Sequence, residues 1–469
     1  MKGRPLAELV PTGGRLVGDG AVPVRDVVQD SAAVRSGSLF CCVRGHRFDG
    51  HDFAGEAIGN GASALLVERE IPAVTVPQIV VSDVRASVGF VASLVHGSPS
   101  TSMTMVGITG TNGKTTTAHM IASVFRAAGH VTEVVGTLSG GFTTPEASDL
   151  QRILARFLER GVDAVAMEVS SHALQLGRVN GTRFAAGVFT NLGRDHLDFH
   201  GDMEAYFLAK ARLFDGVFCD HAVVNADDPW GRRIIDRLGS GCVTFSLDDV
   251  TELAVTAVGH SYVWRGSRLE VPIGGSVNVM NSLAAATVAA TIGIESSAIV
   301  AGLASMGSVS GRFQRVEAGQ DFVILVDYAH TPDGLAAVLR SIRDSVGGGR
   351  IHTVFGCGGD RDKAKRPLMG EVAVSLSDSV IVTSDNPRSE DPAAIAASVV
   401  AGVPDHLRHR LVGVLLDRRE AIARAVRGAR AGDVVLIAGK GHETTQVTGA
   451  TVVDFDDRVV AAECVEALR

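Results

Sequence analysis

A chain of 469 residues with 46% apolar and 20% charged side chains has room for about three globular domains and is too apolar to be disordered. Its formal net charge of −8 excludes nucleic acid and an anionic membrane surface as main partners, although local basic clusters can still hold an anionic substrate. The 54 glycines and only 5% aromatics suit α/β layers joined by tight loops. The six cysteines (Cys41, Cys42, Cys219, Cys242, Cys357, Cys464) form no C-x-x-C pair and no disulfide framework, which is the pattern of small buried side chains in a reducing compartment. No stretch reaches the ~18 apolar residues of a membrane span, and Lys2 and Arg4 precede no apolar signal core. The expectation is a cytoplasmic protein acting as a monomer.

Residues 1–100 hold short strand-like runs (Ser38–Val43, Ala64–Val67, Gln78–Val81) and helical pieces (Phe53–Gly59, Ala86–Val95), and His96–Ser102 reads as a linker. A second zone, 101–312, opens with the apolar run Met103–Ile108, the turn through Gly107, Gly110 and Gly113, and a helical pattern over Thr115–Ala128. Such a strand–turn–helix turns backbone N–H groups toward an anion, Lys114 adds a positive charge, and Thr115 can put its hydroxyl on magnesium. Ile108 stands where the strict Walker spacing has glycine, so the motif is a variant; a bare glycine turn can also be only a tight connection.

Further along, the apolar strand Val162–Val169 carries Glu168 near its end, either a second handle on magnesium or a buried, satisfied carboxylate. His196, in the run Asn191–Asp198, can be a metal ligand or a structural histidine. Lys210 lies on an amphipathic helical stretch with Leu213 and Phe214, where a solvated surface lysine is the default. Asp227-Asp228-Pro reads as a turn. In the third zone, 313–469, four apolar strands (Phe322–Val326, Ile351–Phe355, Ser379–Thr383, Val434–Ala438) each run into a polar loop. In a doubly wound parallel sheet these loops share the carboxyl edge, where ligands bind. Asp327, His330, Arg361, Asn386, Arg388, His442 and Glu443 are therefore expected in one substrate site.

These residues together resemble the Mur ligases. The resemblance rests on Asp30-Ser31, Gly37-x-Leu-Phe40, Gly45–Gly50, Thr109–Thr116, Thr143–Pro145, Glu168–His172, Asn191–Lys210, Gly311-Arg312, Asp327–Pro332, Gly356–Pro367, Asp385–Arg388 and Gly439–Glu443, in the family's order. It implies a three-domain α/β protein: an N-terminal UDP-substrate domain (1–100), a central P-loop ATPase-like domain (101–312) and a Rossmann-like C-terminal domain (313–469). It implies ATP and Mg2+ as cofactors. The implied reaction adds meso-diaminopimelate to UDP-N-acetylmuramoyl-L-alanyl-D-glutamate through an acyl phosphate, in peptidoglycan precursor synthesis. Closure of the C-terminal domain onto the central one would keep water from that intermediate.

Site roles also follow from the resemblance. Ser31, Gly45, His46, Arg47 and Phe48 would hold the UDP part, and Thr143, Thr144, Ser170 and Arg178 the muramoyl peptide. Gly110, Thr111, Asn112, Gly113, Lys114, Thr115 and Thr116 would bind ATP, with Asn281, Arg312 and Asp327 on the nucleotide. Thr115, Glu168, His196 and a carbamylated Lys210 would surround magnesium, so that Lys114, Glu168, His196 and Lys210 form the catalytic set. Arg361, Asp385, Asn386, Pro387, Arg388, Gly439 and Glu443 would take the incoming amino acid. Arg388 can pair bidentately with the distal carboxylate that diaminopimelate has and lysine lacks. Ala32, Leu176, Gly193 and Ser310 depart from residues frequent in the family, and none of them lies at the phosphate, metal or Asp385–Arg388 positions. The rival readings are a lysine-adding ligase, a ligase of the D-alanyl-D-alanine dipeptide, a folylpolyglutamate synthase, and a nucleotide-binding scaffold without chemistry.

Overall fold

The computed structural model describes residues 3–45, 48–72 and 74–468. The N-terminal part is built on a five-stranded sheet in the order Arg15–Val17, Gln78–Val80, Ala62–Val67, Ser38–Cys41, Asp26–Val28. Its first strand is antiparallel and the rest are parallel. The helix Val84–Val95 covers it, started by Asp83, whose carboxylate accepts from Ala86 N at 2.9 Å. The expected linker His96–Ser102 is instead a packed connection. Pro99–Ser102 forms a 3-10 turn with Pro99 and Ser100 buried, and Ser100 Oγ accepts from Arg183 N at 3.1 Å.

The central sheet has six parallel strands in the order Cys242–Phe245, Cys219–Asn225, Phe184–Phe189, Thr104–Thr109, Ala164–Glu168, Thr132–Val135. Ala164–Glu168 is buried throughout, as a parallel strand covered on both faces must be, and this is why it reads as an apolar run. The strand of the phosphate loop lies between Phe184–Phe189 and Ala164–Glu168, so Gly110, Thr190 and Glu168 end side by side at one edge. The helix Lys114–Ala127 buries Ala118, Ile121, Val124 and Phe125 and packs on the helices Ser276–Thr291 and Ser296–Ala304. A three-stranded antiparallel sheet (Val250–Val255, His260–Trp264, Ser267–Val271) that the sequence reading did not anticipate joins this core.

The C-terminal sheet runs Gln314–Val316, Val323–Asp327, Val434–Ala438, Ile351–Phe355, Ser379–Val382, Leu411–Val414, with only the first strand antiparallel. The four expected strands are present and parallel, so their loops emerge together at the carboxyl edge. Among the described residues no helix is long and apolar enough to cross a membrane. Cys41, Cys42, Cys219 and Cys357 are buried, while Cys242 and Cys464 are partly exposed.

Candidate active site

The phosphate loop is shaped by glycines that nothing larger can replace. Gly110 has φ 151° and Gly113 has φ 87°. A Cβ on Gly110 would run into Thr190 Oγ1, and one on Gly113 into Asn281 Oδ1. The loop is braced from the neighbouring strand end, where Asn191 O accepts from Thr111 N at 2.8 Å and Asn191 Oδ1 from Asn112 N at 2.9 Å. Lys114 Nζ folds back onto Gly110 O and Thr111 O at 2.9 Å each, and burial pushes its pKa below the usual lysine value against the opposing pull of Glu168. Thr116 is buried at the start of the helix.

Glu168 is buried and is held by three donors: Thr115 Oγ1 at 3.0 Å, Thr137 N at 2.8 Å and Thr137 Oγ1 at 3.2 Å. A hydroxyl and a carboxylate so close together are hard oxygen donors of the kind magnesium takes. Arg312 Nη2 also donates to Thr115 Oγ1 at 3.3 Å, and its guanidinium lies 4.6 Å from the centre of the Tyr328 ring. His196 sits at φ 54°, with its side chain 46% exposed and its Nε2 3.4 Å from Asp195. Desolvation by the cavity walls, helped by His172, Lys114 and Lys210 and opposed by Asp195, pushes its pKa down to about 4. It is therefore a neutral ring at neutral pH, the form that can ligate a metal.

Lys210 is not the solvated surface lysine that its helix pattern favoured. It is 1% exposed, its Nζ donates to Gly110 O at 2.8 Å, and the ammonium lies 4.5 Å from the centre of the Tyr206 ring. Burial, then the neighbouring Lys114, push its pKa well below the ordinary lysine value. The helix Met203–Ala211 buries Lys210 together with Tyr206 and Phe207, while Glu204 and Leu208 are the side chains it turns to water.

Two cavities meet here. One, of about 730 Å³, is lined by Thr111–Thr116, Glu168, Asn281, Arg312 and Asp327. The other, of about 1260 Å³, is lined by Thr143, Thr144, Ser170, Arg178, Arg361, Asp385, Asn386, Arg388, Gly439 and Glu443. They share Thr143, Asp195, His196, Tyr328 and His330 among their walls. Thr144 Oγ1 donates to Glu168 O at 2.9 Å, which ties the peptide-side loop to the strand that carries the carboxylate. Arg178 pairs with Glu146 at 2.6 Å, donates to Thr144 O at 3.1 Å and stacks on Phe142 at 4.4 Å. Burial raises the Asp327 pKa from its ordinary value against the opposing pull of Arg312; its two oxygens accept from Phe313 N at 2.6 Å and Ala329 N at 2.8 Å.

On the opposite wall Arg388 takes φ 52° and donates from Nη1 to Gly359 O at 2.7 Å. Asn386 Nδ2 donates to Glu443 Oε2 at 2.6 Å, and a Cβ on Gly439 would come 2.9 Å from Asp385 Oδ2. Pro387 is buried behind them, and Arg361 is exposed at the cavity rim. One protein thus presents a glycine-shaped loop that suits an anion and a second cavity lined by both arginines and carboxylates to a common space.

Comparison with known proteins gives this arrangement a family. The Mur ligase family, catalytic domain model matches residues 24–95, the Mur ligase middle domain 108–289, and the Mur ligase, glutamate ligase domain 311–441. The chain is 42% identical over 462 residues to the UDP-N-acetylmuramoyl-L-alanyl-D-glutamate–2,6-diaminopimelate ligase of Syntrophomonas wolfei subsp. wolfei, covering 94% of each chain. The chain belongs to the Mur ligase family. The similarly named ligase of Streptomyces avermitilis is 43% identical over 490 residues, covering 98% of this chain and 96% of the relative. A solved structure of a UDP-N-acetylmuramoyl-L-alanyl-D-glutamate–2,6-diaminopimelate ligase superposes with a TM-score of 0.72 at 33% identity, covering 99% of each chain. The Mur ligase three-domain architecture expected from the sequence is therefore present.

Not every candidate of this Mur ligase gathers at the two cavities. Ser31, Gly45 and Phe48 line neither of them, and Phe48 is 69% exposed. His46 and Arg47 lie outside the described residues. Several site residues escaped the sequence reading. Thr137 follows an apolar strand directly after Gly136, and Tyr206 stands one helical turn before Lys210; both signals were available. Asp228 is a helix cap as well as a turn residue, accepting from Trp230 N at 2.9 Å and Leu192 N at 3.2 Å.

Proposed function

We propose that this Mur ligase joins meso-diaminopimelate to the D-glutamyl γ-carboxylate of UDP-N-acetylmuramoyl-L-alanyl-D-glutamate, with ATP as the energy source. The observation that carries the reading is the shared wall of the two cavities, with Lys114 and Glu168 on one side and Arg388 and Glu443 on the other. The names of the relatives support the same substrates. The working domain limits of this reading are 1–100, 101–312 and 313–469; Gly311 and Phe313 both take positive φ at the last of these boundaries.

In this reading the γ-carboxylate oxygen attacks the γ-phosphorus of ATP, ADP leaves, and an acyl phosphate forms. An amine of diaminopimelate then attacks the acyl carbon; phosphate leaves and the nitrogen loses a proton. Lys114 and the N–H groups of Gly110–Thr116 hold the transferring phosphoryl group in line. Arg178, freed from Glu146, orients the peptide carboxylate, and Arg388 and Glu443 hold the two ends of the amino acid's distal head. Thr115, Glu168 and His196 fit magnesium, which would neutralise charge between the two anionic reactants when bound. Addition of carbon dioxide to the Lys210 amine, with release of a proton, would give a carbamate, an anionic oxygen donor beside Thr115, Glu168 and His196.

The test is phosphate release from ATP with UDP-N-acetylmuramoyl-L-Ala-D-Glu, comparing meso-diaminopimelate with L-lysine. Release with diaminopimelate alone is expected. Preference for lysine would overturn the role given to Arg388, and silence with both would overturn the reaction.

A further inference from the structure

Lys440 is 0% exposed, yet it stands in the Gly439–Glu443 loop beside the amino-acid cavity. Three oxygens from two segments surround its ammonium: Thr445 O at 2.5 Å and Asn386 Oδ1 at 3.4 Å accept from it, and Glu443 Oε2 lies 3.5 Å away as an ion-pair partner. An ammonium has three donors and no acceptor, so its surroundings must be oxygens of this kind. A buried charge is retained only where partners of this kind compensate its lost hydration.

The arrangement dictates how the pocket presents itself. Asn386 Oδ1 accepts from both Lys440 Nζ and Val447 N, the latter at 2.9 Å. The amide must then turn Nδ2 outward, where it meets Glu443 Oε2 at 2.6 Å. Both protein contacts fall on Oε2, which leaves Oε1 to receive a substrate ammonium. The same lysine anchors the start of a hairpin, Thr445–Thr448 with Thr451–Asp454. That hairpin grips the neighbouring loop: Gln446 Nε2 donates to Asp385 O at 2.7 Å, Arg388 N to Val447 O at 3.0 Å, and Gly449 N to Arg388 O at 2.6 Å. Arg388 needs that grip, because φ 52° is a conformation that bulky side chains avoid.

We propose that Lys440, with the hairpin it anchors, is a positioning element that sets selectivity for the amino-acid substrate by orienting Asn386, Glu443 and Arg388. It touches no substrate itself. The inference rests on the reading that this pocket takes diaminopimelate.

The experiment compares the full-length wild type with Lys440→Met and Gln446→Ala, measuring KM for diaminopimelate, L-lysine, ATP and the UDP-linked acceptor. Lys440→Met should raise KM for diaminopimelate about tenfold or more and narrow its preference over lysine, with KM for the other two substrates within about twofold. Gln446→Ala, which loses a single hydrogen bond, should raise the same KM about threefold. An unchanged KM, or a common rise for all substrates, would overturn the proposal. If Lys440→Met does not fold, Gln446→Ala decides: a selective rise supports the positioning role and no rise overturns it. A wild type inert with diaminopimelate would overturn the function itself, whereas an active wild type with unmoved variants overturns this inference alone.

Discussion

Arg418 and Asp457 form an ion pair with both side chains at 0% exposure. Nε and Nη2 each donate to the carboxylate at 2.7 Å, while Nη1 reaches Ser384 O at 3.2 Å and Nη2 reaches Ala438 O at 3.1 Å. Those two carbonyls belong to the chain ends that launch Asp385–Arg388 and Gly439–Glu443, so one guanidinium ties both loops to the sheet. Arg418→Met keeps most of the buried volume but removes all four hydrogen bonds. It leaves a buried carboxylate without its cation and two carbonyls short of a donor. Breaking a buried pair in this way costs about 3–5 kcal/mol. A typical domain holds about 5–15 kcal/mol in total, so the loss is a large share of the C-terminal unit's stability. With a urea dependence of about 2 kcal/mol per molar, its unfolding midpoint should fall by about 2 M.

Hydrogen exchange in urea is the assay of choice, because a three-domain chain need not unfold in two states. Amides of Val434–Ala438 and Ser379–Val382 should lose protection early, while those of Thr104–Thr109 serve as an internal control. Arg418→Met/Asp457→Leu removes both charges and should recover much of the loss, since a buried pair exchanged for apolar side chains is often close to neutral. A single variant within about 1 kcal/mol of wild type would refute the reasoning, as would a double variant that costs the sum of its parts.

Lys114→Ala should abolish phosphate release while leaving the circular dichroism spectrum unchanged; near-normal turnover would remove the phosphate loop from the mechanism. Arg388→Lys keeps the charge but loses the bidentate fork, and should raise KM for diaminopimelate about tenfold or more in steady-state kinetics. Lys210→Ala should be inactive and partly rescued by added short carboxylates, and absence of rescue would argue against a carbamate at this position. Small-angle scattering with an ATP analogue and the UDP-linked acceptor should show compaction as the C-terminal part closes; an unchanged profile would count against closure.

Much of the architecture was legible because its signals are local. Ile351–Phe355 and Val434–Ala438 were read with the bounds they have in the fold, since parallel strands covered on both faces are short apolar runs followed by polar loops. The phosphate loop was legible for a related reason, as glycines at 110 and 113 announce a backbone that side chains would obstruct. Weak strands were lost. Arg15–Val17 and Asp26–Val28 are two edge strands of three residues each, and the strand Val250–Val255 is largely exposed, with only Val250 and Val255 packed against the core. Their pairing is decided by neighbours distant in the chain rather than by local pattern.

The pocket proposed to take the amino acid shows why site chemistry is harder to read than fold. Its loops were found because each follows a strand, but the groups that orient those loops follow no local rule. Lys440 and Asn386 are separated by 54 positions, and Arg418 and Asp457 by 39. Each of these charges looks, in sequence, like a solvated surface residue, as Lys210 does. What separates a buried lysine from an exposed one is the set of oxygens that the fold brings to it: Gly110 O for Lys210, and Thr445 O, Asn386 Oδ1 and Glu443 Oε2 for Lys440. A backbone carbonyl carries no sequence signature, so a buried cation that depends on one is invisible until the chain is folded. The consequence for this Mur ligase is specific. Substitutions of Lys210, Arg418 or Lys440 that look conservative by charge, such as lysine for arginine at 418, should fail, because the oxygens are fixed in place and only the original donor geometry meets them.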